Sequence, residues 1–255
     1  MGIILQAKQL NKTYCLGKDN HLQVLNNVNV VIERGEFISV MGPSGSGKST
    51  FLYNISGMDK ISSGSVTFNG QEIADLAEKE LSSLRLNKMG FVFQQPHLLP
   101  NLSILDNIIL SAYLAKQSSR QTINEKAIDL MKKIGIAELA HHDITQASGG
   151  QLQRVAICRA LINQPKMIFG DEPTGALNSQ SAMEVMEILA NINELGTTIL
   201  LVTHDVKIAA KTDRVLYMLD GSIIGEKRIG KYIKRHKDLK MREKILSGWL
   251  TEKGF

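Results

Sequence analysis

The chain has 255 residues, 43% of them hydrophobic and 22% charged, the composition of a globular protein long enough to bury a large core. Its net charge of +5 is unevenly placed: nine Lys or Arg against Asp238 and Glu243 put +7 on residues 227–244 and leave −2 on the rest, so the basicity belongs to the tail and nucleic acid is not an expected partner. No signal-peptide pattern opens the sequence and no run reaches the roughly eighteen apolar residues of a membrane span, so a cytoplasmic chain with reduced thiols at Cys15 and Cys158 is expected.

Residues 3–10, 25–32 and 64–70 alternate in polarity or run β-branched between turn residues, which predicts an antiparallel β layer. EFISVMG (36–42) is a short apolar run closing on glycine. Residues 48–58 follow with apolar spacing at Phe51, Leu52 and Ile55, so a strand, a tight loop and a helix are predicted there. GFVF (90–93), MIFGD (167–171) and TTILLVTH (197–204) read as buried strands, and 151–162 and 181–195 as helices. This alternation predicts an α/β fold with a mostly parallel core sheet, and the helix-rich stretch from about 95 to 165 reads as a helical subdomain inserted into it. His141 and His142 read as a polar helix end without metal-site spacing. The body is thus expected over residues 1–225, with a basic, helical tail over 226–255. Met241, Ile245 and Trp249 recur there at four-residue spacing, with Leu246 and Leu250 beside them. Such a helix suits its own domain, a membrane partner or anionic lipid.

GPSGSGKST (42–50) matches G-x-x-x-x-G-K-[ST] between a predicted strand and a predicted helix. Gly42, Pro43, Ser44, Gly45, Ser46, Gly47, Lys48, Ser49 and Thr50 therefore form a loop whose backbone N–H groups point at phosphate oxygens, at a helix N-terminus that favours anions. Lys48 reaches the β- and γ-phosphates and the Ser49 hydroxyl ligates Mg²⁺, which predicts binding of a purine nucleoside triphosphate. Asp171 closes an apolar strand, where P-loop NTPases place a metal-holding acid. Glu172 comes next and is expected on the opposite side by strand alternation, free to polarise water as a general base.

Together with SGGQ (148–151) in the context QASGGQLQRVAICRAL, these residues resemble the nucleotide-binding subunits of ATP-binding cassette (ABC) transporters, P-loop NTPases with an inserted helical subdomain. The resemblance runs from Tyr14 to about Gly225 through six motifs in the family's order. It implies that Tyr14 stacks on adenine and that Gln94 is the loop glutamine sensing Mg²⁺ or water beside the membrane partner. It also implies that Glu172 is the catalytic base and that His204 contacts the γ-phosphate. Ser148, Gly149, Gly150 and Gln151 open a helix and would bind the nucleotide of the opposite subunit, so two copies are expected to meet head to tail around two ATP molecules, each nearly inactive alone.

Two positions depart from the family pattern: Ala147 stands where leucine is common, and Asn178 where aspartate is usual. The DEPTGALNS stretch and Q-x-x-x-L-L-P-N-L-S-I-L-D-N after Gln94 resemble the subfamily serving macrolide-export, lipoprotein-release and antimicrobial-peptide-resistance permeases. That implies an ATPase subunit held at the cytoplasmic face of the membrane by a separate permease. A cytosolic cassette acting on ribosomes or DNA, and a regulatory cassette of a cell-division or stress-sensing complex, are the alternatives.

Overall fold

The structure is a computed structural model that describes residues 2–15, 17, 21–233, 236 and 238–254. Lys234, Arg235 and Lys237, counted above in the basic stretch, lie outside the described residues. An antiparallel sheet contains β1 (Ile3–Cys15), β2 (His21–Glu33), β4 (Ser63–Phe68) and β5 (Gln71–Glu72) in the order β2-β1-β4-β5. The second sheet contains β3 (Phe37–Met41), β6 (Met89–Phe93), β7 (Met167–Asp171), β8 (Thr198–Val202), β9 (Arg214–Leu219) and β10 (Ser222–Arg228). Its order is β10-β9-β3-β8-β7-β6, parallel throughout except for the β9–β10 pair. The helices are α1 (Lys48–Ile55), α2 (Glu78–Lys88), α3 (Ile104–Ala115), α4 (Arg120–Ile134), α5 (Gly149–Leu161), α6 (Ser179–Glu194), α7 (Val206–Ala209) and α8 (Leu239–Glu252).

The central strands are mostly apolar on both sides because both faces of the mixed sheet are covered. In β8, Ile199 and Leu201 point to the side filled by α3 to α6, whereas Leu200 and Val202 point to the side shared with α1 and the antiparallel sheet. Strand order matters for function: β3, β8 and β7 are parallel neighbours, so the segments leaving their carboxyl ends emerge side by side. Those segments are the 42–47 loop, the residues after Val202 and the residues after Asp171. Helices α3, α4 and α5, with two short 3₁₀ turns, occupy the expected helical stretch; Ile108, Ile123, Met131 and Val155 form its interior.

The tail differs from its expected pattern. β10 continues through position 225 to Arg228, and α8 packs on the neighbouring strand, with Leu246 and Leu250 against Met41, Val215 and Tyr217 and with Trp249 edge-on to Tyr217. The buried stripe of α8 is Arg242, Leu246 and Leu250, while Met241 is 64% exposed and Ile245 39%. The expected Met241–Ile245–Trp249 stripe is therefore displaced by one residue. An arginine holds the first inward position, and its polarity hides the true face from a hydrophobic count. Arg242 is 4% exposed. Its Nε donates to Ala210 O at 2.7 Å, Nη1 to Ile229 O at 2.9 Å, and Nη2 to Thr212 O at 2.8 Å and Gly230 O at 2.7 Å. No helix among the described residues is long and apolar enough to cross a membrane.

Candidate nucleotide site

The loop after β3 is shaped by two close approaches of backbone. A Cβ on Gly42 would lie 2.0 Å from Met218 O, and one on Gly47, at φ 96°, would lie 2.9 Å from Val24 O, so neither position accepts a side chain. The loop then enters α1, whose first turn carries no acid to repel an anion. Lys48 is 8% exposed and donates to Gly42 O at 2.9 Å and Pro43 O at 2.7 Å, which folds its ammonium over the loop. Burial lowers its pKa, and the charges of Glu172 and Asp171 oppose that shift. Ser46 Oγ is buried without a hydrogen-bond partner among the described residues. Beside the loop lies a cleft of about 580 Å³, lined by Val24, Ser44, Gly45, Gly47, Lys48, Ser49, Thr50, Glu172 and His204. A buried lysine and an unsatisfied hydroxyl beside the start of a helix with no acid in its first turn fit a polyphosphate.

A second cleft of about 420 Å³ adjoins it, lined by Ser49, Tyr53, Gln94, Gln95, Asp171 and Glu172, with Phe93 and His97. Ser49 Oγ donates to Asp171 Oδ1 at 2.9 Å, and the Tyr53 hydroxyl donates to Oδ2 at 2.7 Å. Burial, and then the bond to Asp171, push the Tyr53 phenol up to about 12. Hydroxyl, carboxylate and amide oxygens are the hard donors that suit Mg²⁺. Among the described residues no cluster of three or more His, Cys, Asp or Glu could hold a metal ion.

Glu172 does not owe its direction to strand alternation, as expected from sequence. β7 ends at Asp171, and Glu172 adopts a left-handed backbone at φ 46°. Its N–H donates to Val202 O at 3.0 Å and its carbonyl accepts from Gly175 N at 2.9 Å, which holds that conformation. The side chain thereby turns toward both clefts, with Oε1 3.2 Å from His204 Nδ1. Gln94 and Glu172 both approach Gly175: a Cβ there would lie 3.0 Å from Gln94 Nε2 and 3.3 Å from Glu172 Oε2. Gln94 is flanked by ties to α5: Gln153 Nε2 donates to Phe93 O before it at 2.9 Å, and the Arg159 guanidinium donates to the carbonyls of Pro96 and His97 after it.

Tyr14 stands near the end of β1, with its hydroxyl donating to Asp59 Oδ2 at 2.7 Å and Lys12 Nζ 4.5 Å from its ring centroid. One ring face is thus covered by an ammonium that itself bonds Asp59 at 2.8 Å. Ser148 caps α5: its Oγ accepts from Gln151 N at 3.3 Å, while the Gln151 side chain accepts from Ser148 N at 2.8 Å. None of residues 148–151 lines either cleft beside the phosphate loop. A Cβ on Gly149 would instead meet Leu177 and one on Gly150 would meet Ser181, so this motif packs on the segment that follows Glu172.

Sequence reasoning missed Tyr53, whose aromatic ring reads as packing, and it left open the local role of Asn178. Asn178 caps α6, its Oδ1 accepting from Ser181 N at 2.9 Å. Because Asn and Asp cap helices about equally well, Asn178→Asp is expected to leave the melting midpoint nearly unchanged. Asn178→Ala should cost about 1 kcal/mol, both effects being read by circular dichroism. Cys158 is buried, which pushes its thiol up to about 12, whereas Cys15 is exposed.

Residues 25–175 match the family model described as ABC transporter. The chain is similar to the macrolide export ATP-binding/permease protein MacB of Bdellovibrio bacteriovorus, with 41% identity over 226 residues that make up 89% of this chain and 34% of that protein. It thus spans about a third of the length of the curated MacB relatives it matches. It is also similar to the uncharacterized ABC transporter ATP-binding protein YknY of Bacillus subtilis, with 38% identity over 89% of this chain and 100% of that one. Among solved structures, the dimeric post-hydrolysis state of the ATP-binding cassette MJ0796 bound to ADP and Pi superposes with a TM-score of 0.83 at 39% identity, covering 90% of this chain and 100% of that one.

Proposed function

This chain belongs to the ABC transporter family as an ATP-hydrolysing cassette, and from that premise we propose that two copies enclose two ATP molecules head to tail and power export through a permease. The observation that carries the reading is the separation, within one chain, of the phosphate loop from the Ser148–Gln151 helix start, two anion-binding elements that line no common cleft. A second copy completes each site by bringing its own Ser148, Gly149 and Gly150 to the phosphates held by the first.

In each half-site the backbone amides of residues 44–50 and Lys48 hold phosphate oxygens, and Tyr14 presents the ring face away from Lys12 to the adenine. Ser49, Asp171 and Gln94 would hold Mg²⁺, which would supply positive charge to offset the charge developing on the phosphate oxygens. Glu172 accepts the proton of the attacking water, and His204, within hydrogen-bond reach of Glu172 at 3.2 Å, steadies that carboxylate and contacts the γ-phosphate. The loop at Gln94, tied to α5 before it by Gln153 and after it by Arg159, passes the state of the site to the permease, which holds the cassette at the cytoplasmic face of the membrane. The name of the MacB relatives favours export of a macrolide-like drug, and the subfamily resemblance of the DEPTGALNS stretch adds antimicrobial peptide and lipoprotein as cargo classes.

Native protein isolated from solubilised membranes is expected to copurify with a polytopic membrane protein and to hydrolyse ATP in that complex. Recovery with ribosomes alone would overturn the transporter reading.

A further inference from the structure

Helix α1 grips Asp171 at both of its oxygens. Ser49 Oγ lies 2.9 Å from Oδ1 and the Tyr53 hydroxyl 2.7 Å from Oδ2, and these two donors stand four residues apart, on one face of the helix and one turn from each other. Ser49 sits beside the phosphate loop and is already given to the metal. Tyr53 has no such duty, yet its ring edges the same cleft as Ser49, Gln94, Asp171 and Glu172. Packing alone would need only the ring, for Tyr53 lies at the margin of the core below α1, where a phenylalanine would fill the same space. The hydroxyl is what requires explanation.

A carboxylate held by one hydrogen bond still turns about its Cβ–Cγ bond, while one held at both oxygens does not. Mg²⁺ demands a near-ideal octahedral shell, so freedom in a supporting acid weakens it more than it weakens Ca²⁺, whose coordination is irregular and adaptable. We propose that Tyr53 is a positioning residue for the divalent cation of the nucleotide site, fixing the plane of the Asp171 carboxylate from the side opposite Ser49. It acts through Asp171 and touches neither metal nor nucleotide. This rests on the assignment of Asp171 to the metal.

The test is the full chain with Tyr53→Phe, which removes one oxygen and keeps the ring. Mn²⁺ binding to its complex with a non-hydrolysable ATP analogue, followed by electron paramagnetic resonance, is expected to weaken about three- to tenfold, the scale of one ordinary hydrogen bond, because the hydroxyl acts on the metal only through Asp171. Nucleotide affinity in chelator and Ca²⁺ affinity should each stay within about twofold. The Mg²⁺ concentration at half-maximal turnover should rise, with kcat at saturating Mg²⁺ little changed. Tyr53→His, which keeps a ring donor, should regain part of the Mn²⁺ affinity, and Tyr53→Phe should add nothing in an Asp171→Asn background. Unchanged Mn²⁺ affinity in Tyr53→Phe, or equal losses with Mn²⁺, Ca²⁺ and chelator, would overturn the role of the hydroxyl. Failure of the wild-type complex to bind Mn²⁺ at all would instead overturn the metal site on which it rests.

Discussion

Glu172→Gln should bind ATP as well as the wild type, hydrolyse it at least about a hundredfold more slowly, and accumulate as an ATP-bound dimer. The amide has the size of the carboxylate and still reaches His204 at the 3.2 Å seen for Oε1, so the clefts keep their shape. What it cannot do is accept a proton from water at neutral pH, and loss of a general base removes about 10²- to 10⁴-fold of rate. Lys48, Ser49 and Asp171 are untouched, so the contacts expected to hold phosphate and metal remain. With bond cleavage blocked, the ATP that closes the two half-sites is not consumed. Phosphate release measures the rate, titration with a fluorescent ATP analogue the affinity, and size-exclusion chromatography the dimer. Turnover at the wild-type rate would remove Glu172 from the role of base.

The second large effect concerns stability, far from the phosphates. Arg242→Met keeps an unbranched side chain of similar length but leaves the carbonyls of Ala210, Thr212, Ile229 and Gly230 without the guanidinium that joins them. Exchanging a buried ion for an apolar residue is tolerated when its partner is exchanged as well. Backbone carbonyls cannot be exchanged, and each one left dry costs about 1–3 kcal/mol. Because Gly230 is exposed and hydrated once freed, the expected total is about 3–5 kcal/mol, close to the loss on breaking a buried pair. For a chain of this size that lowers the melting midpoint by about 10 °C. Arg242→Lys, which keeps the charge but offers fewer and less divergent donors, should fall between the two. Calorimetry of the three proteins checks the order, and a midpoint for Arg242→Met within about 2 °C of wild type would refute it.

Much of the site could be read from the sequence because phosphate chemistry fixes both residue type and spacing. Gly42 and Gly47 are glycines for a local reason, backbone crowding, and a strand that ends in Asp171 beside a phosphate loop has few other uses. The buried strands β3, β6, β7 and β8 were legible because a sheet covered on both faces favours apolar residues at most positions, whereas β9, which opens on the buried Arg214, was not read. What escaped are contacts made across the chain. Tyr53 meets Asp171 from 118 residues away, and Arg242 meets carbonyls 12 to 32 residues distant; no local period records either. The inward face of α8 was misplaced for the same reason, since its leading residue is polar and buried only because distant carbonyls receive it. The direction of Glu172 was missed because it depends on one backbone dihedral, and a pattern of side chains does not report that.

That dihedral bears on how this protein can change. A residue with a Cβ held left-handed sacrifices about 1–2 kcal/mol relative to glycine or to an ordinary conformation, and here the sacrifice falls on the side chain expected to do the chemistry. Variants selected only for a higher melting temperature would therefore be drawn to glycine at position 172 and would lose the base as they gained stability. The acid persists at that position against its own conformational preference, which makes it a place where robustness and turnover oppose each other.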